Sequence, residues 1–241
     1  MYIQKRYIMR NTIDVEIYHT GRYGAPGMKR EKKKNPSPDK VQAWNYIQAC
    51  KKLKRIINAN FGPGDYSCTL TYREAERLPE EDAKKEMANF LRRMKREYKK
   101  RGYELKWIYT TEQKTKSIHH HLIMNSIPET AHLLHKHWKR GFVRISILDD
   151  TGDYKGLADY IIKETDKTFR DPLSADRQRY SRSRNLIIPE PHKRIIRAKT
   201  FRKDPKPIKG YYIDQESLHR GENPVTGFRY LTYTMIRIGG G

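Results

Sequence analysis

From Asp65 onward, strand-like stretches of β-branched and aromatic residues take turns with stretches in which apolar residues recur at helical spacing. The strand-like stretches are 66–72, 104–112, 117–125 and 142–148, and the helical ones are 79–102, 126–141 and 152–167. A capping box at Ser126–Glu129 opens the second helix, and Gly141 closes it. The first six elements follow the ferredoxin-like (split βαβ) plan. The pattern therefore predicts an α+β fold, with helices on one face of an antiparallel sheet and the other face free for ligands.

The segments on either side of this region are predicted to be extensions. Residues 1–60 contain a few strand-like residues, the basic loop GRYGAPGMKREKKKNPSPDK and a helix over 40–60. Residues 169–241 are basic and include two late strand-like stretches. We therefore expect an N-terminal extension over 1–60, a central domain over 61–168 and a DNA-contacting C-terminal extension over 169–241.

Charge narrows the partners of this fold. The 241 residues include 51 Lys and Arg but only 28 Asp and Glu, which gives a formal net charge of +23 at pH 7. Such a surplus favours a polyanionic partner, because binding to phosphates releases condensed counterions. A ribosome-associated or merely basic protein is the alternative on charge alone.

Cysteine content and hydropathy indicate the compartment. Cys50 and Cys68 are the two cysteines, and they lack the spacing of a disulfide framework or of a Cys-based zinc site. No apolar run approaches the roughly 18 residues that a membrane span needs. The N-terminus alternates polar and apolar residues, unlike the apolar core of a signal peptide. We expect a soluble, cytoplasmic protein without a membrane partner.

Three consecutive histidines, His119, His120 and His121, lie within the third predicted strand. Side chains alternate along a strand, so His119 and His121 share one face while His120 points to the helix-covered side. Glu112 ends the preceding strand and could supply an oxygen ligand at the same place. Two imidazoles and a carboxylate suit a divalent ion with open coordination positions, such as Mg²⁺ or Mn²⁺ bridging to phosphate. Ordinary strand histidines are the other interpretation.

The same residues resemble the motif of the HUH endonucleases, which is His, a usually bulky hydrophobic residue, then His on a central strand. His119-His120-His121 would fill that motif, with a histidine in the hydrophobic slot. CTLTYREAERLP at 68–79 resembles the first motif of the rolling-circle initiators in this superfamily, a strand with a Leu-Thr-aromatic ending. LADYIIKE at 157–164 resembles the third, a helix with Tyr-x-x-Lys. The three motifs occur in the expected order.

The resemblance is to replication-associated proteins of small phages, plasmids and integrative elements, and it implies nicking and rejoining of single-stranded DNA at an origin. Tyr160 would then be the nucleophile, leaving a 5′-phosphotyrosine and a free 3′-OH. Lys163 would orient the phenol or offset phosphate charge, although an exposed helical lysine needs no such role. Glu164 is the second choice as carboxylate ligand, because in related initiators an acid after the Lys can approach the ion. Tyr154 lies on the apolar stripe of the helix and is predicted to be core.

Single-stranded DNA or an origin hairpin is the expected partner. The stretch RQRYSRSRNL at 177–186 interleaves bases with an aromatic residue and serines, which suits phosphate contacts and stacking. A solvated basic loop is the alternative. The predicted DNA contacts are Thr69 and Thr71 of the first motif, together with Arg177, Arg179, Arg182 and Arg184.

One nucleophilic tyrosine implies a single-nicking mode, in which termination needs a second protomer, as in a homodimer, or another nucleophile. The sequence lacks a Gly-x-x-x-x-Gly-Lys-Ser/Thr motif, so we expect a host helicase to unwind the DNA and a host polymerase to extend it. Two alternatives stay open: a single-tyrosine HUH transposase or relaxase, and a non-catalytic ferredoxin-like nucleic-acid-binding protein. Histidines stand where RNA-recognition domains of this plan expose aromatics, which favours the enzyme.

Overall fold

A computed structural model describes residues 1–19, 39–114, 117–170, 178–198, 200–223 and 227–239. The strands in these residues are β1 (Tyr2–Ile8), β2 (Thr12–His19), β3 (Tyr66–Thr71), β4 (Trp107–Lys114), β5 (Ser117–Met124), β6 (Val143–Ile147), β7 (Ser181–Arg182), β8 (His192–Ile196), β9 (Tyr211–Ile213), β10 (His219–Glu222) and β11 (Arg229–Arg237). The α-helices are α1 (Asp39–Asn60), α2 (Glu80–Lys100), α3 (Thr130–His137) and α4 (Lys155–Arg170). None of the helices in this part of the chain has the length and apolar composition of a membrane span.

The chain divides into two compact units. Unit 1 comprises residues 1–59 and 188–241, and unit 2 comprises residues 60–187. The terminal segments, which we treated as separate extensions, pair their strands in one sheet of unit 1. In that sheet β1 lies between β2 and β8, and β2 lies between β1 and β11. Local sequence patterns carry no signal for such pairing over more than a hundred residues.

Unit 2 contains the expected element order, as β3-α2-β4-β5-α3-β6-α4. Its sheet has the strand order β6-β3-β5-β4-β7, and every neighbouring pair is antiparallel. The fourth strand of the motif thus lies beside the first, and the third lies between the first and the second. This arrangement is compatible with the ferredoxin-like fold, so the predicted antiparallel α+β class is confirmed.

The helix α2 covers one face of this sheet with a regular apolar stripe. Its buried residues recur at the three- and four-residue spacing of a helix: Ala83, Met87, Phe90, Leu91, Met94 and Tyr98. They pack with Leu70 of β3 and Leu122 of β5, and Trp138 closes the core after α3. The side chains of β5 that share this face are therefore committed to packing.

The helix α4 corrects the prediction that helices cover one face only. It lies against β4, and its Tyr160 contacts His121, whose side chain points away from the core formed by α2 and α3. The physical reason is that this second face carries Ile108 and Ile123, both fully buried. Apolar side chains at these positions gain free energy from cover, so part of the face predicted to be open is occupied by a helix.

In unit 1, α1 packs on its sheet through buried charges. Asp14 on β2 accepts hydrogen bonds from Nζ of Lys54 at 2.9 Å and from Nε of Arg55 at 3.0 Å. Glu16, two residues further along β2, accepts from Arg55 at 2.8 Å. Burial alone would raise the pKa of Asp14, but the two cations outweigh it and hold that pKa below its ordinary value. The opposite face of the sheet carries the apolar core: Tyr2, Ile13, Val15, Ile17, Leu231, Tyr233 and Met235.

Candidate functional site

Alternation along β5 separates the three histidines as the sequence predicts. His120 is fully buried and points to the face covered by α2 and α3, whereas His119 and His121 are half-buried on the face that carries α4. The two classes of histidine therefore have different surroundings and different chemistry.

His120 is a hydrogen-bonded core residue. Its Nε2 lies 2.9 Å from the hydroxyl of Tyr72, and its Nδ1 lies 3.0 Å from the hydroxyl of Thr111. Its ring also packs edge-to-face against Tyr72 and Trp138. Burial, with a smaller contribution from the neighbouring histidines, lowers the pKa of His120 to about 3, so the ring is neutral at neutral pH. This explains how a histidine fills a position at which a hydrophobic residue is expected.

Nε2 of His121 is the meeting point of two other side chains. It lies 2.9 Å from Oε2 of Glu112 on β4 and 3.4 Å from the phenol oxygen of Tyr160 on α4. Nδ1 of the same ring lies 3.4 Å from the hydroxyl of Thr69 on β3. The rings of His121 and Tyr160 meet edge-to-face, with centroids 5.1 Å apart and an interplanar angle of 87°. Three strands and one helix thus contribute to a single cluster.

The hydrogen bonds of this cluster define the roles of its atoms. An ionised carboxylate can only accept, so with Glu112 ionised the proton of the neutral His121 ring lies on Nε2 and is donated to Glu112. Nδ1 is then available to accept from the hydroxyl of Thr69. Glu112 is 4% exposed, while Tyr160 is 40% exposed. The cluster therefore combines a buried carboxylate with a phenol that a large ligand can reach.

His119, the other predicted ligand on β5, occupies the adjacent position on the same face. In the strand register it lies opposite Thr71 on β3 and Glu112 on β4. Across the described ranges, no group of three or more His, Cys, Asp or Glu side chains is arranged to hold a metal ion. Imidazole and carboxylate are nevertheless donor types that suit Mn²⁺ or Mg²⁺, and the hydrogen bond between His121 and Glu112 brings one donor of each type together. The chemistry of this donor set fits a divalent cation.

The helix α4 presents Tyr160 outside its buried stripe. Tyr154, immediately before the helix, is buried, as are Ala158 and Ile161, and the hydroxyl of Tyr154 donates to the carbonyl of Asp149. The prediction that Tyr154 belongs to the core and that Tyr160 lies off the stripe is confirmed. Tyr160 is therefore the accessible phenol of this segment.

Two further predicted residues follow Tyr160 on α4. Lys163 is exposed one helical turn later, and Glu164 is half-buried beside it. Spacing of three and four residues places both on the side of the helix near Tyr160. Their assignments to the phosphate and to the cation stay predictions.

The predicted DNA-contacting residues fall into different settings. Arg182 and Arg184 are exposed, whereas Arg179 donates to Asp166 of α4 at 2.6 Å and its carbonyl accepts from Thr110 at 3.1 Å. Sequence reasoning missed Asp166 and Thr110, which anchor this segment. Arg177 lies outside the described residues.

The two threonines of β3 also differ. Thr69 faces His121, as described above, while the hydroxyl of Thr71 accepts from the backbone N–H of Phe142 at 3.1 Å and donates to its carbonyl at 3.3 Å. Thr71 thus links β3 to the start of β6 through its side chain. Contact of either hydroxyl with DNA stays a prediction.

Fold and site together define a class: an antiparallel α+β domain in which a helix carries an accessible tyrosine against a histidine of the central strand. Residues 65–169, which contain the whole cluster, match the sequence model of a family of replication-associated proteins, the ORF2 type. This segment of the chain belongs to that family, and the match supports a role in the initiation of DNA replication, with DNA as the partner, in a phage or plasmid context. Neither curated proteins nor solved structures gave a significant match.

Proposed function

We propose that unit 2 nicks and rejoins single-stranded DNA at a replication origin, as a rolling-circle initiator of the HUH type. The observation that carries this proposal is the approach of Glu112 and Tyr160 to the same nitrogen of His121. A phenol held against a histidine–carboxylate pair, on the exposed side of a sheet, is the arrangement that a tyrosine nucleophile requires. The family match gives independent support, because it covers all three residues.

Tyr160 is the nucleophile in this proposal. Its oxygen attacks the scissile phosphorus, so that a bond from phosphorus to tyrosine forms and the bond from phosphorus to the 3′ oxygen breaks. The phenol loses its proton and the departing 3′ oxygen gains one, which leaves a 5′-phosphotyrosine and a free 3′-OH. Attack by another 3′-OH reverses the reaction and rejoins the strand without consuming a nucleotide cofactor. His121 keeps the phenol in position at 3.4 Å.

A divalent cation, Mg²⁺ or Mn²⁺, is the cofactor in this proposal, and His119, His121 and Glu112 are its ligands, with Glu164 as the alternative carboxylate. When bound, the ion stabilises negative charge on the non-bridging oxygens of the phosphate. Ligation needs unprotonated imidazole nitrogens, so we expect the affinity for the ion to fall as the pH is lowered. Lys163 offsets phosphate charge or orients the phenol.

The test is formation of a covalent adduct by the unmodified chain. A library of 3′-labelled single-stranded oligonucleotides with candidate origin hairpins is incubated with protein and Mn²⁺, then separated on a denaturing gel. We expect a labelled band that migrates with the protein, is absent with EDTA, and maps by mass spectrometry to the peptide with Tyr160. Tight, metal-independent binding across the library without any adduct would instead identify a non-catalytic nucleic-acid-binding protein.

Replacement of the histidine–carboxylate pair should slow nicking without removing the nucleophile. For His121→Gln or Glu112→Gln we expect a nicking rate roughly 10- to 100-fold lower, because the substitution disturbs both the position of the phenol and the proposed cation ligands. His132→Gln is the matched control, since His132 is an exposed histidine on α3. Single-turnover nicking at saturating Mn²⁺ measures the effect. Equal rates for His121→Gln and His132→Gln would remove His121 from the mechanism.

A further inference from the structure

A cleft of about 730 Å³ lies in unit 2, apart from the His121 cluster. Its walls come from α2, from the loop before β4, from β4 itself and from the segment around β7. Trp107 and Tyr109, which line it, belong to the face of the sheet that packs against α2, whereas His121 belongs to the other face. The nicking chemistry proposed above gives this cleft no role.

The charge of the cleft is strongly positive. Five cations line it, and one carboxylate, Glu104, stands against them; the cations are Arg92, Lys95, Lys99, Arg182 and Arg184. All five are exposed, and none of them forms an ion pair with a residue that the structure describes. The three on α2 are spaced by three and four residues, so they lie on one side of the helix. Unpaired cations in a concave surface attract a ligand with several negative charges.

The cleft also offers aromatic rings beside these cations. The rings of Trp107 and Tyr109 lie 5.4 Å apart with an interplanar angle of 35°, and both are half-buried. Tyr103, a third aromatic lining residue, is 49% exposed. Aromatic rings interleaved with cations suit single-stranded nucleic acid, whose unpaired bases can stack on the rings while its phosphates contact the cations. A duplex keeps its bases stacked inside and offers no such faces.

One chain segment connects the cleft to the helix of Tyr160. Arg179 is paired with Asp166 of α4, and two residues later the chain joins β4 as β7. Ser183 then fixes the segment to Trp107, donating from its backbone N–H to the carbonyl and accepting from the N–H through its hydroxyl. Arg182 and Arg184 of this segment line the cleft. The segment therefore leads from α4, along the edge of the sheet, to the cleft on the other face.

We propose that this cleft binds the single-stranded DNA that flanks the nick, with bases on the aromatic rings and phosphates on the five cations. The assignment of that strand rests on the proposed function, whereas the binding itself does not require the nicking reaction. Such a site would hold one end of the cut strand while the other end is attached to Tyr160.

The test measures binding without cleavage, in the full chain carrying Tyr160→Phe. Arg92→Ala with Lys95→Ala removes two cations from the cleft, and Arg96→Ala with Lys100→Ala removes two exposed cations of the same helix outside it. For the first pair we expect at least a tenfold loss of affinity for a labelled single strand, and a salt slope smaller by about 1.4, since each lost phosphate contact removes about 0.7. The control pair should retain its affinity. All four residues are exposed and alanine favours helix, so the fold is expected to persist.

A second variant separates stacking from charge. Tyr103→Ala should weaken binding of a normal single strand by about 5- to 100-fold, the effect of one lost base–aromatic stack. The same variant should leave binding of an abasic oligonucleotide unchanged, because that strand has no base to stack. Equal affinities for the cleft pair and the control pair, or equal binding of duplex and single strand, would overturn the proposed cleft.

The outcomes also separate this inference from the proposed nicking function. A chain that forms the Tyr160 adduct while the cleft pair binds like the control would overturn the cleft alone. A chain whose binding depends on the cleft, but which forms no adduct with any oligonucleotide of the library, would overturn the nicking function and leave the cleft as a binding site.

Discussion

Replacing Tyr160 by phenylalanine is expected to abolish the covalent adduct and to lower the nicking rate by on the order of 10⁴-fold or more, the usual cost of losing a nucleophile. Phenylalanine keeps a ring that can pack edge-to-face against His121, and it removes only the oxygen that lies 3.4 Å from Nε2. The loss would therefore be chemical and not structural. Single-turnover nicking of a 3′-labelled oligonucleotide measures it, and the affinity for DNA should stay unchanged.

Tyr154→Phe is the matched control for this variant. Tyr154 is buried, and its hydroxyl donates to the carbonyl of Asp149, so its loss should cost about 1 kcal/mol of stability and leave nicking intact. An adduct that persists in Tyr160→Phe and disappears in Tyr154→Phe would assign the nucleophile to the other tyrosine. Persistence in both variants would place it elsewhere in the chain.

Asp14→Asn is expected to lower the free energy of unfolding of unit 1 by about 3–5 kcal/mol, because it leaves Lys54 and Arg55 buried without their shared carboxylate. Denaturant unfolding at pH 7, followed by a probe in unit 1, measures this change. Asp204→Asn is the control, since Asp204 is exposed and pairs with exposed Arg220, and its loss should cost at most about 1 kcal/mol. Equal effects of the two substitutions would contradict the role of the buried pair.

The same carboxylate predicts a dependence on pH. The pKa of Asp14 is lower in the folded chain than in the unfolded one, where an aspartate titrates near pH 3.9. Its contribution to stability is therefore complete above that value and is lost as the pH falls through the lowered pKa of the folded state. The unmodified chain should lose stability in this acidic range more steeply than Asp14→Asn. Parallel curves for the two chains would show that Asp14 titrates alike in both states.

Strand alternation accounts for most of what the sequence predicted about the site. The period of two along β5 separates His120 from His119 and His121 without any knowledge of tertiary contacts. Helical periodicity does the same for Tyr160 on α4, which lies off the buried stripe. Both properties are local, and each can be read from a dozen residues.

The face covered by α4 was not predictable in this way. That choice depends on the apolar side chains of two strands on one face, Ile108 and Ile123, which are neighbours only after β4 and β5 have paired. The contact between His121 and Tyr160, and with it the approach of Glu112, follows from that tertiary choice. The sequence therefore predicts the residues of the cluster but not which of them touch.

The helix predicted over 126–141 shows the limit of local signals. The helix begins only at Thr130, after Glu129 with a positive φ of 70°, and the hydroxyl of Ser126 donates to the carbonyl of Gly64 instead of capping. Gly141 was interpreted as the end of this helix. Its backbone lies so close to the carbonyl of Thr71 that a side chain would clash, so the glycine is needed for a close approach between chain segments. A glycine in the sequence looks the same in both roles.

The interrupted construction of unit 1 has a consequence during synthesis on the ribosome. The hairpin of β1 and β2 is made first, yet its outer edges pair with β8 and β11, which are translated after all of unit 2. Unit 2 can therefore complete its fold while the nascent hairpin still has two unpaired edges. Asp14 and Glu16 on β2, and Lys5 and Arg6 on β1, place charges along these edges and oppose pairing with strands of neighbouring chains. The acids that later bind α1 thus also protect the unfinished polypeptide against aggregation.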